Sequence, residues 1–308
     1  MNHQDVFSEV FSTLRLQSNL YFRAQFSGEF SIEIPREPRT VRFHLVREGE
    51  CYLKVPGIKP VIIRKGDLAL VPDGASQNLC STVDLKPVSL SRVLNDNGIE
   101  NGTLKYGKGA EQVSLLCGYC SFDEAVDHPI LTELPALMVI NPFELESEPS
   151  ATMALELLSL EAEHEEPGMT GILSRMLEII FIQSVRRITA SQVGSQRGFI
   201  AALRDPKLSK ALSIIHTKPE ESWTINNLAQ KAGMSRARFA DRFTNIVGIP
   251  PISYLTKWRL MKSRSLLSTT NLKMEEIASR CGYASTSAFS RRFKEEFQVG
   301  PGAYRKAP

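Results

Sequence analysis

The chain has 308 residues, enough for two domains, and its 42% hydrophobic and 23% charged content excludes a disordered, collagen-like or disulfide-stapled chain. The formal charge of +3 becomes informative when split near residue 195: residues 1–196 hold 17 Lys and Arg against 26 Asp and Glu, and residues 197–308 hold 20 against 8. An acidic part (−9) joined to a basic part (+12) is the pattern of a sensing or assembly domain fused to a nucleic-acid binder.

Met1 to Leu20 lacks the basic, apolar and small-residue succession of an export signal. Leu134–Phe143 and Met176–Val185, the most apolar stretches, are too short to span a membrane. The expected location is therefore the cytoplasm. The five cysteines, an odd count, are expected to be reduced thiols rather than a disulfide framework.

Residues 20–145 read as short strands: Leu20–Phe26, Val41–Val46, Cys51–Val55, Val61–Ile63, Leu68–Val71 and Val113–Phe122. Gly and Pro punctuate them at the spacing of a sandwich or barrel, and Asn97 to Gly109 reads as a Gly-rich loop. From Ser150 the period becomes helical. Met153, Leu155, Leu157, Leu158 and Leu160 open a helix that runs into the acidic Glu161–Glu166 and stops at Pro167-Gly168. A second helix carries Ile172, Leu173, Met176, Leu177, Ile179, Ile180 and Val185, a stripe wider than one buried face needs, which leaves apolar surface for a second subunit. Ala190–Gly198 has linker composition.

The remainder is helical and internally repeated. Leu228-Ala229 through Gly233 and Ser235 is echoed by Ile277-Ala278 through Gly282 and Ser285. Phe239, Arg242, Phe243, Pro251 and Tyr254 recur fifty residues on as Phe289, Arg292, Phe293, Pro301 and Tyr304. The first helices match one residue closer, so the second unit has one extra residue at its turn. Each unit reads as helix, Gly turn and helix, with Thr224, Ser235 and Ser285 as caps and the Phe residues facing inward. A helix–turn–helix presents its second helix to the DNA major groove. The expected DNA contacts are Ser235, Arg236, Ala237, Arg238, Ala240, Asp241 and Arg242 in the first unit, and Ser285, Thr286, Ser287, Ser290 and Arg291 in the second. Asp241 either pairs with Arg238 one turn back or accepts from a cytosine. Between the units, Pro251–Leu267 reads as one helix roughly 25 Å long. On it, Lys257, Arg259, Lys262 and Arg264 are candidate phosphate contacts.

Other sites are weaker. His44 and His128 are too few for a catalytic metal centre, so neither a metal nor a cofactor is expected. His3, His164 and His216 sit at surface-like positions. Cys117 and Cys120 lie in a strand, where i and i+3 point to opposite faces; they read as buried structural thiols, with oxidant sensing the alternative.

The closing segment Gly282-Tyr283…Phe289-Ser-Arg-Arg-Phe293-Lys…Phe297-Gln-Val-Gly300-Pro301-Gly-Ala-Tyr304-Arg305 resembles the DNA-binding domain of the arabinose-regulator (AraC/XylS) family of bacterial transcription regulators. Phe43-His44-Leu45-Val46, Gly66-Asp67-Leu-Ala-Leu-Val-Pro72 and Leu116-Cys117-Gly118-Tyr119 are similar to the cupin-like barrel of one subgroup, although Gln77 stands where a barrel His is often found. The expected fold is thus multi-domain α+β. It comprises a cupin-like β-barrel with a helical dimerisation segment (1–189), a linker (190–198) and an all-α tandem helix–turn–helix domain (199–308). The expected function is a non-enzymatic, homodimeric regulator that binds double-stranded DNA under control of a small-molecule or redox signal. The resemblance implies contact with RNA polymerase. The alternatives are a barrel that only dimerises, or a metal-dependent cupin enzyme with a DNA-binding tail.

Overall fold

In a computed structural model of the chain, residues 5–14, 16–122, 128–141, 149–163, 166–190 and 196–306 are described. They fall into two compact units. One gathers the described residues of 16–122 and 134–187, the other those of 1–15, 123–133 and 188–308. This division differs from the expected 1–189, 190–198 and 199–308, because the chain's start and a segment after the last long strand fold with the C-terminal helices. Of the expected linker, residues 191–195 lie outside the described residues.

The strands of the first unit are β1 (Gln17–Ser27), β2 (Ser31–Ile34), β3 (Thr40–Glu48), β4 (Glu50–Lys54), β5 (Val61–Arg64), β6 (Leu68–Val71), β7 (Gln77–Cys80), β8 (Val88–Ser89), β9 (Thr103–Gly107), β10 (Gln112–Ser121) and β11 (Met138–Ile140). They form a six-stranded sheet, β11-β6-β3-β10-β1-β9, and a five-stranded sheet, β5-β4-β7-β2-β8. The core lies between them: Ala24, Phe26, Val46, Val71 and Leu115 from one sheet meet Ile32, Leu53, Ile63 and Leu79 from the other. Alternation along each strand produces this arrangement; in β4, Cys51 and Leu53 are buried while Tyr52 and Lys54 are half-buried. No strand pairing links the two sheets among the described residues, so of the sandwich or barrel expected from the strand spacing this unit builds two facing sheets that are not closed into one. The expected loop at Asn97–Gly109 contains β9, which pairs in parallel with β1. Its Thr-Leu-Lys-Tyr pattern alternates, but it is masked in sequence by Gly102, Gly107 and Gly109. Helix α2 (Leu90–Asn97) precedes it. Helices α3 (Pro149–Glu163) and α4 (Met169–Ala190) bury Leu155, Leu158, Leu173, Leu177, Ile180 and Phe181 but leave Met153, Leu157, Leu160, Ile172 and Ile179 exposed.

The second unit contains α1 (Val6–Leu14), a short 3₁₀ turn at Pro129–Leu131, and α5 (Phe199–Arg204), α6 (Leu208–Thr217), α7 (Ile225–Lys231), α8 (Arg236–Val247), α9 (Pro251–Thr269), α10 (Met274–Arg280), α11 (Thr286–Phe297) and α12 (Pro301–Lys306). The repeat is exact at the backbone of its turns. Met234 N donates to Ala229 O and Tyr283 N to Ala278 O, both at 2.9 Å, closing the same six-residue loop. Gly233 (φ 64°) and Gly282 (φ 73°) occupy the left-handed positions, and Ala284 is the extra residue before the Ser285 cap.

The two glycines differ in their surroundings. A Cβ on Gly233 would meet nothing within 4 Å, whereas one on Gly282 would lie 2.5 Å from Pro219 O and 2.6 Å from the Arg259 guanidinium. Gly233→Ala is expected to cost about 1–2 kcal/mol of backbone strain. Gly282→Ala is expected to cost more, a difference read directly from paired urea denaturation curves of the full chain.

Candidate nucleic-acid interface

Both second helices bury one face and leave the other open. Phe239 and Phe243 of α8, and Phe289 and Phe293 of α11, are fully buried. On the opposite face Ser235, Arg236, Ala237, Arg238, Asp241 and Arg242 are exposed and Ala240 is half-buried; in α11, Ser285, Ser287 and Arg291 are exposed, with Thr286 and Ser290 half-buried. Ser285 accepts from Ala288 N at 3.2 Å as a helix cap, as expected. Ser235 holds the matching position, but its hydroxyl makes no cap bond, leaving the hydroxyl and the first amides of α8 open to a ligand. The Arg238–Asp241 pair weighed from the sequence is absent among the described residues, and both side chains point to solvent.

Several cations expected to meet phosphate instead hold the scaffold. Arg242 Nε donates to Asp205 at 2.7 Å, and the carboxylate also accepts from Lys207 N and Leu208 N, capping α6. Burial acts to raise the Asp205 pKa, but the Leu208 and Lys207 amides and Arg242 outweigh it and hold the carboxyl below its usual value. Arg259 is half-buried, and its guanidinium donates to Pro219 O at 2.7 Å and Glu221 O at 2.8 Å. Lys262 pairs with Glu9 of α1 at 3.0 Å, and Arg264 stacks over Phe297 and Tyr304. For the three on α9 the physical reason is shared: that helix packs on both sides, so most of its side chains are drawn into the interior. Lys257 alone of its four candidate cations is exposed.

Sequence reasoning missed the groups that complete the first bundle. His216, read as a surface residue, is fully buried; its Nε2 lies 2.9 Å from Tyr254 Oη and its ring 4.1 Å from that of Trp258. His128 is also buried, edge-on to Phe199 at 4.6 Å. Five residues on, Glu133 accepts from Phe199 N at 2.6 Å and Ile200 N at 2.8 Å, so a carboxylate sixty-six residues away in sequence caps α5. Gly198, the residue at the cap position, has no side chain to do so, and a Cβ there would collide with Glu133. That vacant cap was the available sequence signal; its distant partner was not encoded locally.

His44 lies in the sandwich and His128 in the helical unit; no group of three metal-ligating side chains occurs among the described residues. Cys117 and Cys120 find different partners: Cys117 Sγ lies 3.1 Å from His44 Nδ1, and Cys120 Sγ 3.1 Å from Ser18 Oγ. Burial pushes both thiols up, Cys120 to about 12, which keeps them protonated and poorly nucleophilic. His3 and His164 lie outside the described residues.

The buried imidazoles make the helical unit pH-sensitive. Burial pushes His128 down to about 3, and burial with the neighbouring His128 pushes His216 well below its ordinary value. Unfolded, both protonate near pH 6.5. Below that pH the unfolded chain binds more protons, so stability is full above about pH 6.5 and falls as the pH drops toward 3. Denaturation midpoints of the full chain should fall between pH 7.5 and pH 5, and His128→Phe should flatten that slope.

Comparison with known proteins agrees with this geometry. A family model described as Cupin matches residues 5–190 and one described as Helix-turn-helix domain matches residues 228–307. A putative AraC-like transcription regulator of Streptomyces lividans is 31% identical over 99% of both chains. The HTH-type transcriptional regulator AlkR of Acinetobacter baylyi is 29% identical over 98% of this chain and 99% of its own. The RCS-specific HTH-type transcriptional activator RclR of Escherichia coli is 27% identical over 91% and 86%. Among solved structures, an AraC-type transcriptional regulator of Chromobacterium violaceum aligns at 30% identity and TM-score 0.32, covering 34% of this chain and 93% of that one. With a cupin part ahead of paired helix–turn–helix units, the chain belongs to the AraC-like transcription regulators.

Proposed function

We propose that this regulator reads two successive major grooves of double-stranded DNA, one with each helix–turn–helix unit, under control of a small molecule bound by the cupin-like sandwich. The observation that carries the reading is the duplicated open face: two second helices with the same turn geometry, each buried on its Phe side and polar on the other. Arg236, Arg238 and Asp241 with Ala237 and Ala240 read bases or phosphates from α8; Thr286, Ser287, Ser290 and Arg291 do so from α11, and Ser235, Ser285 and Lys257 take backbone phosphate. Arg242 and Arg259 act by holding the helices in place. The relatives are regulators rather than enzymes, and one is described as an activator. Activation through RNA polymerase and action in the cytoplasm follow from that likeness. The same chemistry favours a small-molecule signal over an oxidant, since Cys117 and Cys120 are buried thiols with different partners.

A homodimer is supported by α3 and α4. Met153, Leu157 and Leu160 recur at i, i+4 and i+7, and Ile172 and Ile179 at i and i+7; each is 45–61% exposed. Such apolar rows on neighbouring helices fit a helix-on-helix interface. Leu157→Glu with Ile179→Glu is expected to convert dimer to monomer in sedimentation, with the melting temperature little changed.

Selection of binding sites from random duplex DNA tests the reading. Arg238→Ala should relax preference at one position at a cost of about 1–3 kcal/mol, and Asp241→Ala should change the preferred base at another. Lys257→Ala should weaken all sequences evenly and reduce the salt slope by about one. Absence of any selected sequence would overturn the assignment.

A further inference from the structure

We propose that Glu133 is a positioning residue for base reading by α8. From a turn far outside the helix–turn–helix repeat in sequence, its carboxylate fixes the start of α5, and α5 in turn fixes the direction of α8. This rests on the reading of α8 as a recognition helix and names a residue on which that reading depends.

Helix α5 has six residues, too few to persist without outside support. The backbone N–H groups at its start have no partner within the helix. Three of them are taken up from outside. Gly198 N donates at 2.6 Å to Ile246 O, in the last turn of α8, where carbonyls likewise lack helical partners. Phe199 N and Ile200 N donate to the two oxygens of Glu133 at 2.6 and 2.8 Å. The carboxylate thus holds α5 directly beside the bond that ties α5 to α8. At the other end of α5, its C-cap Asp205 accepts from Arg242 Nε of α8 at 2.7 Å. The two ties reach α8 at 242 and 246, about one turn apart. With the first loosened, α8 can pivot about the second.

Glu133 is presented from a fixed platform. Its turn lies in sequence between β10 and β11, yet it folds with the helical unit. His128 and Ile130 are each 1% exposed. His128 Nδ1 accepts from Ile130 N at 3.2 Å, and its ring stands edge-on to Phe199 at 4.6 Å and to Trp258 at 5.8 Å. Glu133 N donates to Pro129 O at 3.2 Å, so the same turn holds the backbone of Glu133. No basic side chain pairs with Glu133 among the described residues; its oxygens serve the two amides of α5.

Positioning and plain stabilisation leave different marks on DNA binding. A cap that only stabilises the fold sets the fraction of competent protein, and its loss weakens every duplex by the same factor. A cap that aims α8 sets what α8 adds to recognition. It leaves α11 alone, because α11 packs in the second core with Leu260 and Leu267.

The test measures binding of the full-length protein to three duplexes: a selected sequence, the same with the bases under α8 scrambled, and the same with those under α11 scrambled. Arg238→Ala and Arg291→Ala assign the two halves. The wild type should lose on the order of tenfold or more in affinity for either scrambled duplex. Glu133→Ala should bind the selected duplex on the order of tenfold more weakly. It should lose most of the penalty for scrambling the α8 half and keep the full penalty for the α11 half. Glu133→Gln, which retains one acceptor, should fall between. The proposal is overturned if Glu133→Ala keeps the wild-type α8 penalty, or if both penalties shrink together. Should Glu133→Ala not fold, Glu133→Gln decides by the same comparison. A wild type without an α8 penalty overturns the two-groove reading and the proposal with it. A wild-type penalty that the variants leave intact overturns the proposal alone.

Discussion

Helix α9 has to be buried on two sides at once, and the geometry of the DNA-binding half follows from that constraint. Its N-terminal part gives Tyr254, Leu255 and Trp258 to the first bundle, against Phe199, His216 and Phe243. Its C-terminal part gives Leu260 and Leu267 to the core of the second, with Ile277, Phe289 and Phe293. At nineteen residues the helix is roughly 28 Å long. Both helix–turn–helix units are thus built onto one rigid rod, and the direction of each recognition helix depends on packing against it. Arg259, between the two cores, reinforces this by gripping the 219–221 loop while its guanidinium abuts the Gly282 turn.

The same economy explains which cations remain for a nucleic acid. A surplus of basic residues over 197–308 does not by itself place charge on an interface. Arg242, Arg259, Lys262 and Arg264 are engaged by Asp205, by backbone carbonyls, by Glu9 and by aromatic rings, respectively. Of the basic residues expected to contact DNA, those left exposed and not engaged by the scaffold among the described residues are fewer: Arg236 and Arg238 on α8, Lys257 on α9 and Arg291 on α11.

The repeated turn was legible because its determinants are local. Gly233 and Gly282 supply the left-handed residue, Pro251 and Pro301 open the following helices, and the Phe spacing sets the buried face. The β-rich half was legible as strands of a sandwich or barrel, but short alternating runs do not specify which edges pair, and so the division into two sheets was not legible. Contacts distant in sequence were not legible. Nothing near Gly198 announces Glu133 as its cap, nothing in α1 announces Lys262, and His216 reads as a surface residue until Trp258 and Tyr254 close around it.

The central claim is that one chain engages two adjacent major grooves through equivalent helices on a common rod. Hydroxyl-radical footprinting on a selected duplex tests it most directly. The account predicts two protected windows on one DNA face about 10 base pairs apart. Arg238→Ala should fade one window and Arg291→Ala the other. A single window that both substitutions weaken equally would contradict it.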